Sequence, residues 1–310
     1  VCPYIENNPE LFKLGFLSKF SDRSSIRITL VQSEDLKLIN KIHSDLNRWQ
    51  KVQLARHPGR PYSLDYINLI FSEFLEIHGD RLFADDPAVV TGFAKIKDKK
   101  IAIIAQQKGK NTKENLHRNF GMMKPEGYRK ALRVMKLAEK FKLPVITFMD
   151  TPGAFPGIGA EERGQGEAIA KNLIEMSSLK VPIISVVIGE GASGGALGIG
   201  VCDKFFMMQN SWYSVISPEG CASILFRDAS KAEEAAEALK VTPDDMVDMG
   251  ICDLIIPEPN GGAHRDSQSS AKNLESVLLE ALQELSAIDP DMFIDKRIEK
   301  YDALGVFEDG

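Results

Sequence analysis

Two glycine-rich loops, each set directly after an apolar run of strand length, constrain this chain more than any other feature. The first is Asp150-Thr151-Pro152-Gly153-Ala154-Phe155-Pro156-Gly157-Ile158-Gly159, after the run 145–149. The second is Gly189-Glu190-Gly191-Ala192-Ser193-Gly194-Gly195-Ala196, after the run 181–188. They lie about 40 residues apart, the length of one βαβ unit, and Ile169, Leu173 and Met176 recur between them at helical spacing. A right-handed crossover makes the two strands parallel and brings both loops to one carboxyl edge of a sheet, where α/β proteins bind ligands.

The rest of the chain is compatible with such a sheet. Its 310 residues suffice for one large domain or two smaller ones. Apolar content of 44% and charged content of 26% are those of an ordinary globular protein. No apolar run approaches the ~18 residues of a membrane span. Neither a membrane nor a nucleic-acid partner is expected. The start, Val1-Cys2-Pro3-Tyr4, is neither an initiator Met nor a signal peptide, and reads as a processed or truncated end. Of the four cysteines, none forms a C-x-x-C pair, so no zinc ribbon or other metal site is expected in this chain. Cys202 and Cys252 read as small buried residues, and a reducing cytoplasm is the default compartment. Net charge is −6, yet the segment 108–142 holds 11 Lys and Arg against 3 acids, a balance of +8, which leaves −14 for the remainder. That segment is either a solvated helix face or a contact for a phosphorylated ligand or acidic partner.

Residues 1–32 show no periodicity and read as a loose arm. Residues 33–80 read as a helical region. A first helix is expected over 33–55, capped by Ser33, and a second is capped by Ser63, with Tyr66, Leu69, Ile70 and Phe74 on one face. Residues 81–265 read as an α/β core. Strands are expected at 88–96 and 101–106, a polar loop over 109–124, and a helix opening at Pro125. Beyond the second loop come a helix start at 195–200 and strands at 204–208, 211–216 and 251–256. Short helices are expected at 217–220 onward, 230–239 and 243–249. Helices near 268–286 and 291–302 fill the C-terminal part, 266–310.

The chemistry of the loops rests on backbone. Gly194-Gly195 stands where a strand turns into a helix, so unpaired amides point outward and the helix dipole favours negative charge. Such a place suits an oxyanion that develops during reaction; it equally suits a tight turn that packs a helix on a sheet. Gly189-x-Gly191-x-x-Gly194 also satisfies the dinucleotide fingerprint, but no acid ends the following strand. Gly191-Ala192-Ser193-Gly194-Gly195 satisfies the nucleophile elbow of hydrolases, and a triad of Ser193, Asp253 and His264 can be written in the required order. Against it, His264 falls in a polar turn. In the first loop, prolines stiffen, glycines permit turns, and Phe155 can wall a flat ring. Glu161 and Glu162 read as first-turn residues of a helix rather than a catalytic pair.

An ordered set of further motifs accompanies the loops. It comprises Arg56-His57-Pro58-Gly59-Arg60-Pro61-Tyr62, Gly79-Asp80-Arg81, Gln107-Lys108-Gly109-Lys110, Arg118-Asn119-Phe120-Gly121-Met122, Pro125-Glu126-Gly127-Tyr128-Arg129-Lys130-Ala131 and Ser217-Pro218-Glu219-Gly220-Cys221-Ala222. Together, from about Ser33 to Arg265, the chain resembles the α subunits of the carboxyltransferase of bacterial acetyl-CoA carboxylase. The resemblance implies an α/β crotonase-like fold, a spiral of ββα units with helical N- and C-terminal extensions. It implies an α2β2 assembly whose β subunit carries the zinc ribbon and most of the CoA site. Carboxybiotin would arrive on the biotin carboxyl carrier protein, loaded by biotin carboxylase, and biotin would not be attached to this chain. Transfer of the carboxyl group to acetyl-CoA would give malonyl-CoA, the first committed step of fatty acid synthesis. The resemblance gives Gly194 and Gly195 the role of oxyanion hole for the biotin ureido oxygen, and makes Gly153, Ala154, Phe155, Pro156 and Gly157 the biotin pocket. Lys108 and Lys110 become contacts for CoA phosphate or the carrier. The rival within the same fold is a serine hydrolase using Ser193. A non-enzymatic scaffold is the third reading.

Overall fold

Among the described residues, eight strands form one sheet that brings the two loops to the same edge. The computed structural model describes residue 43 and residues 45–305. The arm expected over 1–32 lies outside the described residues, as do 33–42 of the expected first helix.

Helix α1 (Arg48–Ala55) follows a non-helical stretch at 45–47, so the helix expected over 33–55 is interrupted there. Asn47 caps it through a reciprocal box: its side chain accepts from Gln50 N at 2.8 Å, and the Gln50 side chain accepts from Asn47 N at 3.0 Å. Helix α2 (Ser63–Ile70) is capped by Tyr62, whose amide donates to Asp65. Ser63 is therefore its first residue rather than its cap, and the Ser63 hydroxyl donates to Gln106 O at 2.6 Å. Phe74, expected on this helix, sits in strand β1 (Ser72–Glu76). The region read as helical through residue 80 thus contains a strand.

Strands β2 (Val89–Ile96) and β3 (Lys99–Gln106) form the expected hairpin. The stretch read as a loop over 109–124 contains α3 (Thr112–His117) and a single 3-10 turn at Asn119–Gly121. Helix α4 (Pro125–Lys140) opens on its proline and buries Tyr128, Ala131, Val134, Met135 and Ala138. Next come β4 (Val145–Thr151), the short α5 (Ile158–Glu162), the crossover helix α6 (Gln165–Ser177) and β5 (Ile183–Ala192). Glu161 and Glu162 are exposed, and Glu161 lies in the first turn of α5, where the dipole favours it.

The chain continues through α7 (Ser193–Leu197), β6 (Lys204–Met208), β7 (Trp212–Ser214) and α8 (Pro218–Leu225). It ends with α9 (Ala232–Leu239), α10 (Pro243–Asp248), β8 (Leu254–Ile256), α11 (Ser267–Leu285) and α12 (Phe293–Asp302). Two of these strands, β7 and β8, are shorter than the 211–216 and 251–256 expected.

The sheet order is β1-β2-β3-β4-β5-β6-β8, with β7 paired to β5. Strands β1 to β3 are antiparallel; β3, β4, β5, β6 and β8 run parallel. Both faces are covered, which is why the central strands read as near-continuous apolar runs. In β3, Ala102 and Ile104 pack with Tyr128 and Val134 of α4, while Ile101 and Ile103 pack on the other face with Tyr66 of α2 and Leu274 of α11. Polar groups inside are paired: Thr147 and Ser185 share a hydrogen bond of 2.7 Å between β4 and β5. Because β3, β4 and β5 are parallel neighbours, Gln106, Asp150 and Glu190 all end at one edge.

Candidate functional site

The two loops touch. A Cβ built on Gly195 would lie 2.3 Å from the Gly153 carbonyl carbon and 2.7 Å from Ala154 N. Gly195 is glycine because the first loop passes over it. Gly194, one residue earlier, is partly exposed, and a Cβ there would meet Ile169 Cδ1 at an ordinary 3.4 Å. The second loop is half strand: Gly189 to Ala192 still belong to β5, and the turn is made at Ser193, with φ of 57°. The Gly194 and Gly195 amides have no acceptor outside α7 among the described residues.

The first loop is held from beneath. Thr151 Oγ1 donates to Gly153 O at 2.7 Å, and Phe155 N donates to Met123 O at 3.1 Å. Gln165 Nε2 donates to both Met123 O and Phe155 O. The Phe155 ring is half-buried, with the Lys124 ammonium 5.0 Å from its centroid. Ala154 and Gly157 are partly exposed and Pro156 is exposed, so the loop presents a flat apolar wall with backbone edges.

A chain of buried charges underlies both loops. Lys108 Nζ donates to Asp150 Oδ1 at 2.7 Å and to Glu190 Oε2 at 2.6 Å. Arg56 Nε donates to Glu190 Oε1 at 2.6 Å and reaches Glu219 of α8. Asp150 Oδ1 also accepts from Glu190 N at 3.0 Å, and a Cβ at Gly189 would lie 2.6 Å from that oxygen. Lys108 is thus a buried tie between strand ends, not a surface cation facing a phosphate. Burial pushes the Glu190 carboxyl up, and the Lys108 and Arg56 charges outweigh it, holding it down at about 2. Burial likewise pulls the Lys108 ammonium down, and Asp150 and Glu190 more than restore it. Lys110 does reach the surface, over the Tyr62 ring at 4.4 Å and paired with Asp65. The loop 56–62 is pinned separately by Arg60, buried and bidentate on Glu258, with Nε donating to Ile188 O at 2.9 Å.

The proposed triad does not assemble. Ser193 is exposed. Asp253 N donates to Phe205 O, and Phe205 is level with Ser185 on β5. Ser193 lies eight residues further along, about 25 Å at ~3.3 Å per residue. Asp253 accepts instead from Lys300 Nζ at 2.7 Å. His264 stacks on His57 with centroids 3.8 Å apart, and burial with the nearby His57 and Arg265 lowers its pKa to about 4.

Nothing local in the sequence marks Arg56, Asp150, Glu190 and Gln106 as functional. Each is a polar residue at the end of an apolar run or in a basic segment, where solvent exposure is the ordinary expectation. Their common signal is position: all but Arg56 lie within the last three residues of strands of the parallel sheet. Cys202 and Cys252 are buried, as expected. Among the described residues no cluster could hold a metal ion, and no helix is long and apolar enough to cross a membrane.

A covered, mostly parallel sheet with two backbone loops meeting at one edge is the fold of the crotonase-like carboxyltransferases. Transcarboxylase 12S, solved with methylmalonyl-coenzyme A and methylmalonic acid, superposes with a TM-score of 0.60 at 21% identity, over 74% of this chain and 42% of that one. A Pseudomonas malonate decarboxylase hetero-tetramer in complex with coenzyme A gives 0.57 at 16% identity, over 69% and 85%. Residues 13–305 match the family model described as acetyl co-enzyme A carboxylase carboxyltransferase-like. Acetyl-coenzyme A carboxylase carboxyl transferase subunit alpha of Chlorobium luteolum is 56% identical over 295 residues, 93% of this chain and 88% of that one. The Fusobacterium nucleatum subunit alpha is 53% identical over 300 residues, 95% and 96% of the two chains. The chain belongs to the family of acetyl-CoA carboxylase carboxyltransferase α subunits.

Proposed function

We propose that this chain is the α half of a carboxyltransferase that moves a carboxyl group from carboxybiotin to acetyl-CoA, working in the cytoplasm in an α2β2 complex with a zinc-bearing β subunit. The observation that carries the reading is the seating of Gly195 under Gly153. It joins unpaired amides at the start of α7 to a flat apolar wall, while the two acids of the loops, Asp150 and Glu190, are tied up by buried Lys108. That combination suits a neutral ureido ring whose oxygen becomes negative. Biotin, carried on its own protein and recharged by biotin carboxylase, supplies the carboxyl group when bound. This chain's part is to orient and to stabilise. Phe155 and the 153–157 backbone position the ring, and the Gly194 and Gly195 amides meet the developing charge. Lys110, at the surface beside Tyr62 and Asp65, is the one of Lys108 and Lys110 that can meet an acidic carrier or a CoA phosphate.

The test is malonyl-CoA decarboxylation with free biotin as acceptor, comparing this chain alone with the chain plus a β subunit. Activity only in the mixture is expected. Inactivity in a verified α2β2 complex overturns the reading.

Ser193→Ala separates this chemistry from hydrolysis. The side chain is exposed and has no triad partner, so turnover of the assembled complex is expected within about threefold of wild type. A loss of several orders of magnitude would restore the serine nucleophile.

A further inference from the structure

We infer that Gln106 is a positioning residue that clamps the two glycine loops to each other; the inference rests on the carboxyltransferase reading above for its link to turnover. Gln106 is the last residue of β3 and fully buried. Its Oε1 accepts from Asp150 N at 3.1 Å, where the first loop begins. Its Nε2 donates to Gly195 O at 2.7 Å, in the second. The amide orientation is dictated by its partners, because an N–H needs an acceptor and a carbonyl needs a donor. A third contact, 3.4 Å from Nε2 to Met123 Sδ, reaches the residue whose carbonyl holds Phe155.

Gly195 O depends on this side chain. Helix α7 ends too early to use it: Gly198 N donates to Gly194 O and Ile199 N to Ala196 O. The carbonyl between them takes its hydrogen bond from Gln106. One buried amide therefore spans three strand ends and sets how Gly195 sits beneath Gly153. Side chains that only fill the core need no such pairing of one donor and one acceptor to two separate loops.

Gln106→Glu converts the clamp into a titratable one. Gln106 already accepts from the Asp150 amide, and the Asp150 carboxylate of β4 is in turn bonded to the Lys108 ammonium beyond β3 and to Glu190 N of β5, whose carboxylate shares that ammonium. Ionised, the new carboxylate accepts from Asp150 N but faces Gly195 O with no proton. Protonated, its O–H donates to Gly195 O and the native pattern returns. Burial beside the Asp150 carboxylate raises the pKa of the introduced group.

The experiment uses the assembled α2β2 complex, with kcat normalised to complex, in malonyl-CoA decarboxylation with biotin. Gln106→Leu is expected to lower kcat at least about tenfold, with KM for malonyl-CoA within about twofold. Gln106→Glu is expected to be impaired at pH 8 and to recover toward wild type as pH falls to 6. Hydrogen exchange supplies a readout free of the activity: Gln106→Leu should speed exchange at both 152–157 and 193–198. Wild-type kcat in Gln106→Leu, or a Gln106→Glu profile parallel to wild type, overturns the clamp. So does unchanged exchange at either loop, even if the wild-type complex proves inactive and the carboxyltransferase reading falls.

Discussion

Gly195→Ala is expected to lower carboxyl-transfer turnover at least about a hundredfold in an assembled complex, and Gly194→Ala far less. The added methyl at 195 would stand 2.3 Å from the Gly153 carbonyl carbon and 2.5 Å from its oxygen, both backbone atoms that no rotamer change can move. The loops must separate by about 1 Å to reach ordinary contact, and a displacement of that size in a positioned site can cost about two orders of magnitude. At Gly194 the methyl meets only the end of Ile169 at 3.4 Å, a flexible side chain at normal distance. A proline at 195 would be less informative, since it adds the same collision to the loss of the amide donor. Steady-state kinetics of the two alanine variants, with assembly checked by sedimentation, decide the matter. Equal activities would show that the contact between the loops does not set the geometry of reaction.

The parts of this site that could be read from the sequence are those with a local signature. Near-continuous apolar runs at 145–149 and 181–188, each broken by one hydroxyl residue, announce parallel strands covered on both faces, and glycines after them announce close backbone approach. The residues that hold the loops in place have no such signature. Lys108 is 42 positions from Asp150 and 82 from Glu190, and only the parallel order of β3, β4 and β5 brings them together. In the sequence, Lys108 opens a basic stretch that looks like a solvated face. Gln106 looks like a polar residue leaving a strand. Helix α3 reads as loop in the sequence because it buries no residue and so carries no apolar period. Strand β1, at the sheet edge with most of its residues exposed, is silent for the same reason. The break before α1 did have a signal, Asn47-Arg48-Trp49-Gln50, but the apolar spacing of Leu46 and Trp49 ran through it. The apparent triad failed on topology: order along the chain says nothing about which end of a parallel strand a residue occupies.

Lys108→Met should destabilise the protein by about 3–5 kcal/mol at pH 7, the usual cost of leaving a buried charge without its partner. Asp150 is 2% and Glu190 5% exposed, and Lys108 is the cation they share. Arg56 would still neutralise Glu190, but Asp150 Oδ1 would lose its ammonium altogether. The sign of the pH dependence separates charge from packing. In the native protein Glu190 is held down at about 2, below its ordinary 4.5. Its contribution is therefore fully present above about pH 4.5 and is lost as pH falls toward 2. Without Lys108 the Glu190 carboxyl loses one of the two cations that hold it down and titrates at higher pH, so protonation relieves the variant before it harms the wild type. The stability gap, measured by urea unfolding, should narrow steadily between pH 7 and pH 4. A gap that stays constant over that range would mean that the methylene stem of Lys108, not its charge, supports the strand ends. In that case methionine, which keeps much of the stem's volume, should have cost little at any pH. A large gap that shrinks with acid is thus the result that only the buried ion network produces.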